Sequence, residues 1–170
     1  SASITERVRM HNLAYSIVLL SQGVPFIHAG DDLLRSKSMD RNSYNSGDWF
    51  NAIDWTGETG NWGIGLPPAG DNRDNYDIMR PLLGNPALAP TQADRLFASA
   101  VLREFLEIRF SSPLFRLRTA EDIFERITFT QIGELSVPGV IVMHLSDTVG
   151  EDLDPAYQQI VVLINASPDT

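Results

Sequence analysis

The sequence contains no cysteine, few basic residues and no long apolar run. Without cysteine, disulfide bonds and thiolate metal sites are excluded, and the redox compartment stays open. The three histidines, His11, His28 and His144, lie far apart and lack the spacing of a zinc motif. The apolar runs fall short of the ~20 residues that a membrane-spanning helix needs. Neither a zinc site nor a membrane partner is therefore expected.

The charge balance is acidic, with 22 Asp and Glu against 13 Lys and Arg and a net charge of −9. Nucleic acids and anionic membranes attract clustered basic residues, so neither is expected as the main partner. A neutral ligand or a cation is accommodated more easily. Hydrophobic residues make up 43% of the 170 positions, which predicts a packed core rather than disorder.

Three segments have the features of helices. In residues 4–21 apolar side chains recur at spacings of three and four, and Ser3 with Glu6 forms the pattern of a capping box. The second predicted helix covers residues 91–109, with Thr91 as its N-cap. A short third helix is expected over residues 75–83.

The mostly apolar residues 24–29, directly after the first helix, are predicted to form a buried strand. A single strand leaves its backbone groups without partners, so its neighbours are expected to lie outside this sequence. We therefore expect the chain to be a piece of a larger fold. His28, inside this strand, is predicted to be a hydrogen-bonded core residue.

From Glu121 onwards the apolar pattern changes to a period of two, which is typical of strands. The intervening Gly133, Pro138 and residues 147–155 are predicted to be turns or loops, so the strands are expected to form an antiparallel meander. The predicted strands are residues 123–130, 139–145 and 159–165.

Residues 30–75 show little periodicity and are rich in glycine and proline. A loop of this length in a compact domain is usually functional or disordered, and its aromatic residues argue against disorder. Trp49, Trp55 and Trp62 offer apolar faces that could stack on sugar rings. The alternative, which we favour for at least two of the three, is a local mini-core beneath the loop.

Carboxylates are the natural candidates for chemistry in this loop. Paired carboxylates together with aromatic residues are typical of glycoside hydrolases, whereas Asp is also an ordinary turn residue, and composition alone favours the second interpretation. Arg35, Lys37 and Arg41 are predicted to form ion pairs with these acids. The acid spacing is not that of an EF-hand, so no metal site is expected. The candidate acids are Asp31, Asp32, Asp40, Asp48, Asp54, Glu58, Asp71, Asp74 and Asp77.

Several of these stretches resemble a known family. Residues 23–32 (GVPFIHAGDD) resemble the segment around the eighth strand of the α-amylase superfamily, with Asp32 at the position of its final acid. Residues 34–51 resemble more narrowly the pullulanases and limit dextrinases, which cleave α-1,6 branch linkages in starch-type glucans. Residues 61–68, 111–116 and 137–143 are similar to the same group, so the resemblance covers essentially the whole chain.

The resemblance implies an α+β fragment. Residues 1–118 would be the last β/α portion of a (β/α)8 barrel with long substrate loops, and residues 119–170 the first antiparallel strands of a C-terminal β-domain. The nucleophile and the acid/base of the family's retaining mechanism would precede this chain, so no catalytic residue is expected in it. The isolated chain is therefore expected to be inactive, although its parent would be a starch-debranching hydrolase. A non-catalytic glucan-binding or interaction module, or a fragment of another hydrolase of the superfamily, remains as an alternative.

The resemblance also assigns roles to residues of the long loop. Arg41 and Asp74 are expected to pair and to contact glucose hydroxyls, with Asn42 as a third substrate-binding candidate. An Arg–carboxylate pair presents rigid donors and acceptors, which suits a neutral sugar. Asp32 and Arg35 are expected to hold the loop in shape.

The expected partners follow from the same resemblance. They are an α-glucan oligosaccharide and the remainder of the barrel. No cofactor is expected, and calcium in the parent protein is left open without a clear site here. The first helix and residues 24–29 have apolar faces made to pack on missing barrel elements. These faces are expected to be exposed, to drive self-association or to leave part of the long loop mobile.

Overall fold

A computed structural model describes residues 2–130 and 137–167, which combine helices with one antiparallel sheet. The α+β class predicted from the sequence is confirmed. The helices are α1 (Ile4–Leu20), α2 (Asp48–Asn51), α3 (Ala69–Asn72), α4 (Tyr76–Leu83), α5 (Gln92–Ser111) and α6 (Ala120–Arg126). The strands are β1 (Ile127–Phe129), β2 (Val140–Ser146) and β3 (Gln159–Asn165). Single turns of 3₁₀ helix occur at Asp31–Leu33, Lys37–Met39, Ser43–Asn45, Arg73–Asn75, Pro86–Leu88 and Pro113–Arg116.

The chain folds into two compact units, each of which combines segments that are distant in sequence. The first contains the described residues of Ser1–Arg9 and Ile27–Val101, and the second those of Met10–Phe26 and Leu102–Thr170. The placement of a domain boundary between residues 118 and 119 stays a prediction. None of the described helices is long and apolar enough to cross a bilayer.

Helix α1 begins with the capping box that its sequence predicts. The Ser3 hydroxyl accepts a hydrogen bond from the Glu6 backbone N–H at 3.3 Å, and the Glu6 carboxylate accepts one from the Ser3 N–H at 2.6 Å. Thr91 caps α5 in the same way, because its hydroxyl accepts from the Asp94 N–H at 3.2 Å. Two of the predicted helices are thus fixed at their N-termini by local contacts.

The C-terminal end of α1 is held by an arginine of α5. The buried Arg109 guanidinium donates to the backbone carbonyls of Leu19 at 2.6 Å and Ser21 at 2.7 Å, and also to that of Gly23. Carbonyls at a helix C-terminus lack partners within the helix, and a cation there complements the helix dipole. Burial and the nearby charge of Arg116 lower the pKa of Arg109.

The strand predicted at residues 24–29 is not present as a strand. Its backbone belongs to no sheet in the described residues, and Val24 and Phe26 are 83% and 91% exposed. The prediction of a buried strand is therefore wrong for this chain, because the described residues provide no neighbouring strand to pair with it. The expectation that apolar side chains of this segment lie exposed is confirmed.

Only part of the strand predicted at residues 123–130 is present, because residues 123–126 are helical. Helix α6 ends at Arg126, and only residues 127–129 form β1. The Thr119 hydroxyl accepts from the Asp122 N–H at 3.1 Å and donates to its carboxylate at 2.6 Å, which caps α6. This local capping overrides the alternating apolar pattern.

The second unit is built around the sheet, whose strand order is β1-β2-β3 with both pairs antiparallel. Met143 pairs with Val162, and alternate residues of both strands face the same side. That side packs on apolar residues of the helical segments. The buried cluster consists of Leu20, Leu114, Phe115, Met143, Leu145, Val162 and Ile164. The predicted meander is thus present, with β3 at its predicted bounds, while the predicted turn at Gly133 lies outside the described residues.

The first unit contains many irregular segments. An arginine side chain helps to hold some of them by donating hydrogen bonds to their backbone carbonyls. Arg95 of α5 is 6% exposed, and its guanidinium donates to the carbonyls of Gly57 at 2.6 Å and Pro90 at 2.6 Å, as well as to that of Glu58. A planar guanidinium with five N–H groups can satisfy several carbonyls at once. Arg95 therefore holds the loop at residues 57–58 against the start of α5.

Candidate functional site

A strained turn lies near the start of the long loop. Lys37, Ser38 and Met39 have φ angles of 50°, 49° and 62°, in the left-handed region that side chains with a Cβ atom disfavour. Such strain persists only where the surroundings fix the backbone. Ser38 is fully buried, and its hydroxyl donates to the carbonyl of Gly65.

Asn72, at the end of α3, holds the two residues that directly follow this turn, Asp40 and Arg41. Its side chain is 1% exposed, and its Oδ1 accepts from the Arg41 backbone N–H at 3.0 Å. Its Nδ2 donates to Asp40 Oδ1 at 2.9 Å and to the Pro68 carbonyl at 2.8 Å. No local sequence signal marks Asn72, because it is one asparagine in a run of Asp and Asn.

Asp40 is the acceptor at the centre of this network. Its carboxylate receives hydrogen bonds from the Ser46 hydroxyl, the Asn72 amide and the Asn42 backbone N–H. Burial alone would raise the pKa of Asp40, but the bonds from Ser46, Asn72 and Asn42, with the charge of Lys37, outweigh it and lower the pKa. Asp40 is therefore an ionised structural acceptor at neutral pH.

The predicted substrate-binding residues Arg41, Asn42 and Asp74 are all exposed. They lie next in sequence or close to the hydrogen-bonded framework formed by Asp40 and Asn72. The Asn42 amide donates to Asp71 Oδ2 at 3.2 Å. In residues 2–130 and 137–167, the ion pairs do not include one between Arg41 and Asp74, so the structure does not bring their charged groups together. The Arg41 backbone is fixed, whereas its guanidinium makes no hydrogen bond among these residues. Sugar contacts by Arg41, Asp74 and Asn42 stay a prediction.

Asp32 and Arg35 contact the framework rather than solvent alone. Arg35 donates to the Ala29 carbonyl at 3.0 Å and to the Asn51 carbonyl, and Asp32 accepts from the Ser99 hydroxyl at 3.0 Å. These contacts are of the kind that a loop-holding role requires, and that role stays a prediction. A side chain at Gly30, where φ is +88°, would place its Cβ 2.8 Å from the Arg35 Cδ, so only glycine fits there.

The predicted ion pairs of Arg35, Lys37 and Arg41 are not found among the described residues. The Lys37 ammonium instead donates to the Ser43 hydroxyl at 2.6 Å. The prediction that His28 is a core residue is wrong. Its side chain is exposed, and its Nδ1 lies 3.5 Å from the Asp31 carboxylate. For Lys37 a hydroxyl group, and for Arg35 backbone carbonyls, take the place of the expected carboxylates.

The tryptophans do not form the expected mini-core. Trp49 and Trp55 are 66% and 69% exposed, and only Trp62 is partly buried. The Trp49 indole N–H donates to the Ile64 carbonyl at 3.3 Å, which anchors one edge of the ring. Among the residues that the structure describes, no group of three or more His, Asp and Glu could hold a metal ion.

Comparison with known proteins identifies the family. The family model described as "Alpha-1,6-glucosidases, pullulanase-type, C-terminal" matches residues 57–170. Pullulanase 1, chloroplastic, from Arabidopsis thaliana is 48% identical over 98% of this chain, and the pullulanase of Klebsiella pneumoniae is 36% identical over 99% of it.

Solved structures agree with the sequence relatives. A structure of PulA from Klebsiella oxytoca is similar with a TM-score of 0.91 at 36% identity. A maltotriose complex of PulA from Klebsiella pneumoniae has the same TM-score at 37% identity. Each similarity covers 99% of this chain, but 16% and 18% of those chains.

This chain spans 18% and 16% of the length of the Arabidopsis and Klebsiella pneumoniae pullulanases that it matches. The family match covers more than half of the chain, and the resemblance inferred from residues 23–51 agrees with it. The chain therefore belongs to the pullulanase-type α-1,6-glucosidases and matches the C-terminal region of that family.

Proposed function

We propose that this chain is part of a longer starch-debranching enzyme that cleaves α-1,6-glucosidic linkages in pullulan or branched glucans by a retaining mechanism. Residues 1–118 would be the end of its (β/α)8 barrel, and residues 119–170 the start of its C-terminal β-domain. The chain contributes loops of the substrate cleft. The observation that carries the proposal is the match of residues 57–170 to the pullulanase-type α-1,6-glucosidase family. The left-handed turn at Lys37–Met39, which leads into the exposed Arg41 and Asn42, supports their place in the cleft.

The exposed groups beside this turn suit a neutral sugar. Each sugar hydroxyl both donates and accepts, and the Arg41 guanidinium offers donors while the Asp74 carboxylate offers acceptors. The Asn42 amide adds one group of each kind. The maltotriose complex of the similar Klebsiella pneumoniae protein supports an α-glucan oligosaccharide as the ligand. Binding through hydrogen bonds rather than net charge also agrees with the acidic composition of the chain.

The carboxylates with shifted pKa values are unsuited to the role of general acid. Hydrogen bonds from Ser3 lower the pKa of Glu6, and hydrogen bonds from Thr56 and Thr59 lower that of Asp54. In Asp40 and Asp154 burial opposes the hydrogen bonds, yet the pKa is again lowered. A proton donor to a glycosidic oxygen needs a raised pKa. The lowered pKa values therefore argue against these four carboxylates as the general acid. On the resemblance of residues 23–51 to the family, we assign the acid/base and the nucleophile to the remainder of the barrel.

Pullulan hydrolysis tests whether the acid/base and the nucleophile lie outside this chain. We expect the 170-residue chain alone to release no reducing sugar from pullulan, and the full-length protein that contains it to do so. Release of reducing sugar by the isolated chain would show that it contains a nucleophile and an acid. An inactive full-length protein would favour the alternative of a glucan-binding or interaction module.

Calorimetric titration of the full-length protein with maltotriose tests the binding residues. We expect Arg41→Ala to weaken binding about tenfold to a hundredfold, since hydrogen bonds to a charged group contribute about 1.5–3 kcal/mol. Arg103→Ala, an exposed arginine of α5, is the matched control and should bind as the wild type does. Equal affinity of the wild type and Arg41→Ala would remove Arg41 from the site.

A further inference from the structure

Trp49 is exposed and anchored at the same time. Its side chain is 66% exposed, so much of the ring surface is available to another molecule. Its indole N–H is already bonded to the Ile64 carbonyl, so the polar edge of the ring is satisfied. The remaining ring surface is apolar, and this hydrogen bond restricts its orientation.

The hydrogen bond to Ile64 places Trp49 beside the Lys37–Met39 turn, which precedes Arg41. Trp49 bonds to the carbonyl of Ile64, and Ser38 bonds to the carbonyl of the next residue, Gly65. Helix α2, which contains Trp49, also lies directly against the Lys37–Met39 turn.

A second contact fixes the short helix that carries the tryptophan. Asn51 of α2 donates to the carbonyls of Ser43 at 2.7 Å and Gly47 at 3.1 Å. The indole therefore belongs to the same hydrogen-bonded framework as the candidate sugar-binding residues.

We propose that Trp49 stacks on a glucosyl ring of the α-glucan, next to the unit that Arg41 and Asn42 contact. Pyranose rings have an apolar face of C–H groups, and an anchored indole covers such a face with little further loss of side-chain freedom. Arg41 and Asn42 then supply polar contacts to hydroxyls at the ring edges. This inference rests on the function proposed above, and it assigns Trp49 to substrate affinity rather than to the chemical step.

Steady-state kinetics on pullulan with the full-length protein test the assignment. Trp49→Ala should raise KM about threefold to tenfold, the range expected for loss of one aromatic contact, with kcat changed by less than about twofold. Trp49→Phe, which retains an aromatic face, should recover most of the affinity. Trp55→Ala is the matched control, because Trp55 is exposed to nearly the same extent on a different turn.

The outcomes separate the two proposals. If Arg41→Ala raises KM while Trp49→Ala and Trp55→Ala both leave it unchanged, the stacking role is overturned and the proposed function stands. If none of the three substitutions changes KM, the stacking role of Trp49 and the binding role of Arg41 both fail, while pullulan hydrolysis by the wild type still supports the debranching function. If Trp49→Ala lowers the melting temperature without changing KM, the ring packs on the parent protein rather than on sugar, which also overturns the stacking role.

Fluorescence supplies a direct readout in the same protein. In a Trp55→Phe background, maltotriose should change the tryptophan emission, and the change should disappear when Trp49→Phe is added. An emission change that survives Trp49→Phe would place the responding tryptophan elsewhere and contradict the stacking role.

Discussion

Asn72 donates from its buried amide to the carboxylate of Asp40 at 2.9 Å, and this bond joins helix α3 to the left-handed turn of the long loop. The amide oxygen of Asn72 accepts from the Arg41 backbone N–H, so the side chain bridges Asp40 and Arg41, the two residues that directly follow the turn. Asn72 therefore fixes the backbone position from which the exposed Arg41 side chain extends.

We expect Asn72→Ala to destabilise the first unit by about 1–3 kcal/mol, because it leaves buried donors and acceptors without partners. Hydrogen exchange of residues 37–46 and the denaturant midpoint of unfolding measure the effect. Asn45→Ala is the control, since Asn45 is exposed and makes no side-chain hydrogen bond among the described residues. Equal exchange rates in the two variants would contradict the bridging role.

The lowered pKa of Asp40 predicts a pH dependence of stability. The ionised form is favoured in the folded chain, so its contribution is fully present above the ordinary pKa of 3.8 and is lost as the pH falls through the lower folded pKa. Asp40→Asn should be less stable than the wild type at pH 7, and the difference should shrink below pH 3.8.

Urea unfolding between pH 3 and pH 7 checks this expectation. Asp48→Asn is the control, because the Asp48 side chain is exposed and makes no hydrogen bond or ion pair among the described residues. A difference between Asp40→Asn and the wild type that stays constant across this pH range would show that ionised Asp40 does not stabilise the fold.

Arg109 is expected to contribute strongly to the stability of the second unit. Arg109→Ala removes the donors to three backbone carbonyls near the end of α1 and should cost about 3 kcal/mol, measured by chemical denaturation. Arg109→Lys should recover only part of this, because an ammonium cannot reproduce the planar fork of donors. Arg103→Ala, on the same helix but exposed, should cost less than about 0.5 kcal/mol. Similar costs for Arg103→Ala and Arg109→Ala would refute the capping role.

The exposed side chains of Val24 and Phe26 predict self-association of the isolated 170-residue chain. Phe26→Ser should reduce association in sedimentation-velocity experiments, because it removes apolar surface from an unpaired segment. Phe124→Ser, which removes an 84% exposed ring from α6, is the control and should have a smaller effect. A wild-type chain that stays monomeric at high concentration would contradict the prediction.

Local chemistry explains which elements could be predicted from the sequence. Capping pairs predict the starts of two helices, Ser3 with Glu6 for α1 and Thr91 with Asp94 for α5. The run of apolar residues in β3 predicts a strand, in which burial alternates from residue to residue. The same capping pattern occurs at Thr119 and Asp122, but alternating apolar residues after it suggested a strand.

The candidate site was less accessible to sequence reasoning. The resemblance pointed to Arg41 and Asn42, but the residues that hold them are defined by contacts between distant positions. Ser38 with Gly65 and Asn72 with Asp40 are separated by 27 and 32 residues, and no local pattern encodes such pairs. The exposure of Trp49 and Trp55 was missed for a related reason, because an apolar residue in a loop has no periodicity that indicates its burial.

The left-handed turn at Lys37–Met39 also bears on the thermodynamics of recognition. A flexible loop loses conformational entropy when a ligand orders it, and that loss weakens binding. Here the backbone before Arg41 is already confined by Ser38 and Asn72 when the chain folds. Loosening the turn, for example through Asn72→Ala, should therefore weaken affinity through a less favourable entropy of binding, with the contacting side chains unchanged.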